Sequence, residues 1–151
     1  MSHLPISLEE LYEEYIFTRK IDISLDQFLI LASFFPALLV ISTDGKVDEE
    51  EWRYVDSLVH SLCNSLDTKR LSIQEVKELK NVFHTELRYL QRNFDTWERK
   101  FTKALKKYLH DHPVYQSLVS EHIYQSASVS EGICEKEKTM IEYLLKELGM
   151  D

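Results

Sequence analysis

Apolar residues recur every three to four positions along most of this chain, and polar or charged residues fill the positions between them. This period matches the turn of an α-helix and not the alternation of a half-buried strand. Residues that cap or break helices divide the pattern into segments. The predicted helices cover about residues 7–20, 25–42, 48–64, 72–94, 95–112, 113–126 and 134–148. The sequence therefore predicts an all-α fold, a compact bundle of about seven helices in one domain spanning residues 1–151.

The segment 25–42 differs from the others because apolar residues surround almost its full circumference. A helix that is apolar on all sides belongs at the centre of a bundle. Pro36 lies inside this segment and has no amide hydrogen to donate, so we expect a kink or a break there. The N-terminal helix at about 7–20 starts with Ser7 and Glu10 at the spacing of a capping box. We expect this helix to pack outside the core.

The fifth and sixth helices meet at Pro113, which cannot continue a helix but favours the first turn of a new one. Asp95 is the predicted cap of the fifth helix. In the sixth helix the apolar side chains are expected to face the core: Val114, Leu118, Ile123 and Tyr124.

Two helix–turn–helix units repeat at a separation of 86 residues. The segment 41–51 aligns with 127–137, so that Val47 matches Ile133 directly before a helix start. Both helices begin with carboxylates, which complement the positive end of the helix dipole, and both continue with the same apolar stripe. The bundle is therefore predicted to contain two copies of one helical hairpin.

This arrangement resembles the tellurite-resistance TerB-like family, whose pattern is an apolar helix, an Asp-Gly turn, an apolar residue, a Glu-rich helix start and a later degenerate copy. The matching segments are 37–52 and 127–149. Two features depart from the pattern: an additional N-terminal helix, and a second turn with Ser130 and Glu131 before Gly132. The resemblance implies a compact all-helical domain, binding of a divalent cation through acidic turns, and an association with stress-response or envelope complexes.

The acidic residues of the two turns are candidate ligands for a divalent cation. The first turn is similar to the latter half of an EF-hand loop, in which a glycine such as Gly45 makes the bend and a glutamate six places later supplies two oxygens. The leading carboxylate is missing, because Val40 and Ser42 occupy the first and third positions. Only a weak calcium or magnesium site is therefore predicted, and the alternative is that the acids cap and stabilise helix starts. The candidate ligands are Asp44, Asp48, Glu51, Glu131, Glu135 and Glu137.

The amino-acid composition limits the kinds of partner that we expect this chain to bind. A net charge of −8 repels nucleic-acid phosphates and anionic lipid, so we expect a protein partner and no nucleic acid. The longest apolar stretch, 28–41, is short for a membrane span, so no membrane insertion is expected. Two cysteines provide no disulfide framework, and the first residues lack the pattern of a signal peptide, which together predict a cytoplasmic location.

Catalytic patterns are not evident. No Gly-rich phosphate loop or activated nucleophile is recognisable, and His110 and His112 are interpreted as helix-end residues. The sequence favours a non-catalytic module for protein interaction that holds a divalent cation at the Asp44 turn. Two alternatives stay open: a metal-dependent hydrolase that uses carboxylates from both turns, and a structural dimerisation domain that forms a homodimer.

Overall fold

A computed structural model describes residues 7–43, 47–65, 72–127 and 135–150. These ranges contain α-helices, one short 3-10 turn and no strand, which confirms the all-α prediction. The helices are α1 (Leu8–Arg19), α2 (Leu25–Ile41), α3 (Glu49–Ser65), α4 (Ile73–Arg92), α5 (Phe94–Asp111), α6 (Gln116–Ala127) and α7 (Glu135–Glu147), and the 3-10 turn is Pro113–Tyr115.

Capping side chains set several of these bounds. At the start of α2, the Ser24 hydroxyl accepts from the Gln27 amide and the Gln27 side chain accepts from the Ser24 amide. Gly149 ends the helical hydrogen bonding after α7. Its φ of +71° is a left-handed conformation that would strain any residue with a side chain. The predicted cap at Asp95 is wrong. The chain leaves α4 and enters α5 across Asn93 alone, so Asp95 already lies inside the first turn.

Helix α2 is the centre of the bundle, as its sequence predicts. It packs against α1, α4, α5, α6 and α7, and most extensively against α6. Pro36 is buried within α2 but does not break it, and the helix runs continuously from Leu25 to Ile41. Neighbouring helices on all sides hold α2 together across the hydrogen bond that the proline removes.

The repeat extends beyond the two hairpins. Helices start at Leu8 and Phe94 and at Glu49 and Glu135, and end at Ile41 and Ala127, each pair being 86 positions apart. Equivalent helices also pack against each other, α1 on α5 and α2 on α6. The bundle therefore consists of two three-helix units facing one another, with α4 as the connection between them.

Helix α1 is part of the core, contrary to the expectation that it packs outside. Leu11 and Tyr15 are fully buried. The Tyr15 ring lies 5.5 Å from the Phe28 ring and 4.9 Å from the Trp97 ring, measured between centroids. It also meets the equivalent residue of the second unit, Phe101, edge to face at 5.7 Å. Because the apolar residues of α1 fill a gap between α2 and α5, the helix is needed to close the core.

A buried carboxylate fastens α1 to α4. Glu86 on α4 is 2% exposed, and one of its oxygens accepts from the Tyr15 hydroxyl at 2.8 Å and from Nε of Arg19 at 2.7 Å. The other oxygen accepts from Nη2 of Arg19 at 3.1 Å. The guanidinium of Arg19 also lies 3.6 Å above the ring of Tyr89. A bidentate arginine pair with a further hydroxyl donor satisfies the buried charge of Glu86.

Helices α3 and α4 form an antiparallel polar seam. Arg88 lies over the Trp52 ring at 4.3 Å, and Nδ1 of His84 is 2.9 Å from an Asp56 oxygen. One turn further along, His60 meets Lys80 at 2.7 Å. Side chains four positions apart on each helix therefore face each other across the seam.

The interface between α2 and α6 buries a histidine. His122 is 4% exposed, its ring lies 6.0 Å from that of Phe34, and its Nδ1 atom has no hydrogen-bond partner. Burial lowers the pKa of His122, while Glu121 and a hydrogen bond to the Ser33 carbonyl act in the opposite direction. The interface between α2 and α6 therefore favours the neutral form of the imidazole.

We expect the substitution Glu86→Ala to lower the free energy of unfolding by about 3–5 kcal/mol, because it leaves the Arg19 charge and the Tyr15 hydroxyl without their acceptor. Urea denaturation measures this change. The control is Glu78→Ala, an exposed position on the same helix, where a change within about 0.5 kcal/mol is expected. Equal effects of the two substitutions would contradict the role given to Glu86.

We expect stability to fall with pH below about 6.5, the ordinary pKa of His122, until its lowered folded-state pKa is reached. Between these two pKa values the unfolded chain binds a proton that the folded chain does not. The free energy of unfolding therefore falls by up to about 1.4 kcal/mol for each pH unit. Urea denaturation at about pH 7.5 and about pH 5.5 should show a smaller decline for His122→Gln than for the wild type. The exposed control His110→Gln should keep the wild-type decline. Identical declines in all three proteins would show that His122 does not govern this pH dependence.

Candidate functional site

An apolar groove lies between the N-terminal half of α2, the C-terminal half of α5 and the start of α6. Its main hollow has a volume of about 330 Å³. The floor is formed by buried side chains: Leu105, Leu109 and Val119. Leu29, Ile30 and Leu118 form the sides. A hollow of this size can receive one or two large apolar side chains, which is typical of a binding site.

Most apolar residues of the predicted sixth helix are exposed, and here the sequence interpretation is wrong. Val114 and Leu118, expected to face the core, are 77% and 37% exposed, and Tyr124 is exposed as well. Only Ile123 of that predicted group is buried. Val114 lies in the 3-10 turn Pro113–Tyr115 and not in α6, and Leu118, in the first turn of α6, lines the groove.

Hydrogen bonds hold this turn in place. The side-chain amide of Gln116 donates to the carbonyl of Leu109 at 3.1 Å, near the end of α5. The ring of His112 stacks on that of Tyr108, with centroids 4.3 Å apart. Tyr115 follows at 5.6 Å from Tyr108. The aromatic edge of the groove is therefore fixed to α5.

The groove continues toward α1 as a second hollow of about 420 Å³. The two hollows share three lining residues: Leu8, Leu29 and Tyr108. Charged residues line the second hollow, namely Glu9, Lys107, Asp111 and His112. The combined groove therefore has an apolar hollow beside α6 and a more polar one beside α1.

Polar groups inside the main hollow are few. They are the side chains of Asp26 and Ser33 and the hydroxyls of Tyr108 and Tyr115. Burial, followed by the neighbouring Tyr115 hydroxyl, raises the pKa of Tyr108, and Asp26 adds to the effect. Tyr108 therefore stays a neutral hydrogen-bonding group, and Asp26 is the charged group of this hollow.

The first acidic turn forms a helix cap where the structure describes it. Asp44 lies outside the described residues. Oδ1 of Asp48 accepts from the Glu51 amide at 2.7 Å, and Oε1 of Glu51 accepts from the Asp48 amide at 3.0 Å. This reciprocal pair is a capping box at the start of α3, in which each carboxylate accepts from the other residue's backbone amide. Glu51 is buried there, at 7% exposed.

The second acidic turn lies at the start of α7. Glu131 is outside the described residues, Glu137 is partly exposed, and Glu135 is exposed with Lys138 at 3.7 Å. Glu135 lines an open hollow of about 530 Å³ together with Thr43, the last described residue before the first turn. The flanks of the two turns thus share a hollow, whereas Asp48 and Glu51 pair with each other on α3.

The part of the chain that the structure describes contains no cluster of metal-binding side chains. Across its four ranges, no group of three or more histidine, cysteine or carboxylate side chains is positioned to hold an ion. His112 contacts the Tyr108 carbonyl through Nδ1 at 3.1 Å. Cys63 is fully buried, and burial raises the pKa of its thiol to about 11, so it is a poor nucleophile. Cys134 lies outside the described residues.

Sequence reasoning missed the residues that form the groove and those that fasten α1. The break at Pro113 with apolar residues on both sides was the available signal for Tyr115 and Leu118. A charged residue on the apolar stripe of α4, between Phe83 and Leu90, was the signal for Glu86. Helical periodicity alone assigns such positions to a face, without showing what covers that face.

Comparison with known proteins gives no match to this chain, whether with family models, with curated proteins or with solved structures. Among the helices described, none is both long and apolar enough to cross a membrane.

Proposed function

We propose that this protein is a non-catalytic module for protein interaction, and that the groove between α2, α5 and α6 receives apolar side chains of a partner polypeptide. The observation that carries the proposal is the apolar edge of this groove, where Tyr115 and Leu118 are 43% and 37% exposed above a buried apolar floor. Apolar residues clustered around a hollow mark interaction sites more often than single exposed ones do.

The composition of the groove fits a docking site. Its centre is apolar, and a tyrosine pair stands at one edge, a residue type enriched at interfaces because one end of the ring is apolar and the other polar. A few polar groups, Asp26 and Tyr108 among them, would fix the orientation of what binds. Asp26 projects from α2, Tyr108 from α5, which packs on α2, and Tyr115 from the 3-10 turn, which packs on α5 and α6, so the site is built on packed elements of the bundle.

The TerB-like assignment is part of the same proposal. The matching helix bounds in the two units support it, since the family pattern is an acidic helical hairpin followed by a later copy. A cytoplasmic location is proposed as well, and the reduced, buried thiol of Cys63 supports it.

Site-specific photocrosslinking in the expressing cell tests the interaction proposal. We expect a photoreactive amino acid at Leu118 to yield a discrete product with another protein, because this side chain stands at the edge of the groove. The matched control is Ile73, which is 92% exposed on α4 and lies away from the groove. Adding Leu29→Glu to the Leu118 variant should remove most of the product, since it places a charge in the apolar wall.

The products decide between the proposal and its rivals. The same products from Leu118 and Ile73 would contradict docking at the groove. Products made only of two copies of this chain would favour the structural dimerisation domain instead.

We also propose, as a second function, that the first acidic turn holds a divalent cation. The observation in its favour is the capping box, in which the carboxylates of Asp48 and Glu51 both bond to backbone amides at the start of α3, a few residues after Asp44 in sequence. Oxygen ligands of this kind suit calcium or magnesium, and an incomplete loop implies weak binding. The hydrolase alternative draws on the same acids, and would need Asp44 and Glu131 to complete an ion site with Glu135 and Glu137.

Calorimetric titration with Ca²⁺ and Mg²⁺ tests the cation proposal. We expect a Kd on the order of 0.1–1 mM in the wild type, and loss of the signal in Asp44→Ala. Asp48→Ser should also lose the signal but keep the stability of α3, because serine caps a helix without supplying a carboxylate. The control Glu50→Gln, an exposed neighbour, should bind as the wild type does. No binding heat, or unchanged affinity in Asp48→Ser, would remove the cation proposal and leave the docking proposal intact.

A further inference from the structure

We infer that the partner of the α2–α5–α6 groove is a basic amphipathic helix, with apolar side chains in the main hollow and lysines or arginines beside the groove's carboxylates. This inference rests on the proposed docking function and names the chemistry of its occupant. It is carried by the charges around the groove and by the form of its walls.

Three carboxylates line the two hollows of the groove: Asp26 the main hollow, and Glu9 and Asp111 the second. Asp26, Glu9 and Asp111 are exposed lining residues, and none of the three forms an ion pair within the described ranges. The opposing charges are Lys107 and, when protonated, His112. The net potential is therefore negative, and the whole chain adds to it with a charge of −8. A partner that carries cations beside its apolar residues complements this pattern, and the attraction also speeds association.

The walls favour a helix as the occupant. Every wall is an α-helix or the 3-10 turn, whose backbone groups are used within the turns. No sheet edge is available there for strand addition, so packing and charge are the means of recognition. The two hollows adjoin each other and share Leu8, Leu29 and Tyr108. An apolar hollow beside a charged one matches a helix with apolar residues on one face and charged residues next to them.

The charge also distinguishes a foreign partner from a second copy. Two copies of this chain carry the same net negative charge, and docking them brings like charges together. The negative groove therefore attracts a basic helix, whereas it repels a second copy of this chain.

Two designed peptides serve as probes: a labelled helix of leucine and lysine, about 18 residues long, and a counterpart with glutamate at every lysine position. Both present the same leucine face. Fluorescence anisotropy with the full chain at low ionic strength is expected to show binding of the lysine peptide at least about tenfold tighter than that of the glutamate peptide. Added salt should weaken the lysine peptide more.

Variants that remove carboxylates inside or outside the groove test whether the groove's own charges cause the preference for the lysine peptide. Asp26→Asn combined with Asp111→Asn should weaken the lysine peptide several-fold and reduce its salt dependence. The control pair, Asp95→Asn with Glu142→Gln, removes the same number of charges from exposed positions outside the groove and should change nothing. Leu118→Glu should weaken both peptides, and a far-ultraviolet spectrum of each variant verifies that it is folded.

The outcomes separate this inference from the function on which it rests. Equal binding of both peptides, removed in both cases by Leu118→Glu, would overturn the basic partner and leave the docking groove standing. Failure of both peptides to bind would overturn the basic helix, while crosslinking at Leu118 tests the groove independently. Binding that ignores Leu118→Glu would overturn the groove itself. A concentration-dependent dimer in sedimentation, lost in the Leu118→Glu variant, would replace the basic helix with a second copy.

Discussion

The burial of α2 is the constraint on which the rest of the structure depends. This helix is apolar on nearly all sides, so most of its surface has to be removed from water, and five other helices pack against it. Hydrophobic burial of this kind is the largest favourable contribution to folding. Helices α1, α5, α6 and α7 are placed where they cover α2. The groove lies where the described helices leave part of α2 uncovered.

Local signals in the sequence were enough to predict the helices. Serine caps at Ser24 and Ser72 and the glycine at Gly149 act within a few residues, so helix number and most bounds could be inferred. The position of Glu86 on the apolar stripe of α4 indicates that it is buried, but its partner Tyr15 lies 71 positions away and cannot be inferred from the neighbouring sequence. The exposure of Val114 depends on which helices cover it, and periodicity carries no information about that.

The groove is where the two units differ. In the first unit one continuous helix, α2, occupies the positions that a 3-10 turn and the shorter α6 occupy in the second. Phe28 and Ala32 are fully buried, whereas their counterparts Val114 and Leu118 are exposed. The break at Pro113 thus converts positions that are core in one unit into surface in the other. The difference between the two halves explains why, within the described residues, the candidate groove lies beside the second unit's 3-10 turn and has no counterpart at the same positions of α2.

The packing of equivalent helices on each other has an architectural consequence. In a two-fold symmetric dimer, the same patch of each protomer meets its own copy. Here α1 meets α5 and α2 meets α6 in that manner, and Tyr15 contacts its counterpart Phe101. The described helices therefore resemble a homodimer of three-helix protomers that α4 connects within one polypeptide. In a single chain each half can carry its own changes, whereas strict symmetry would impose every change on both.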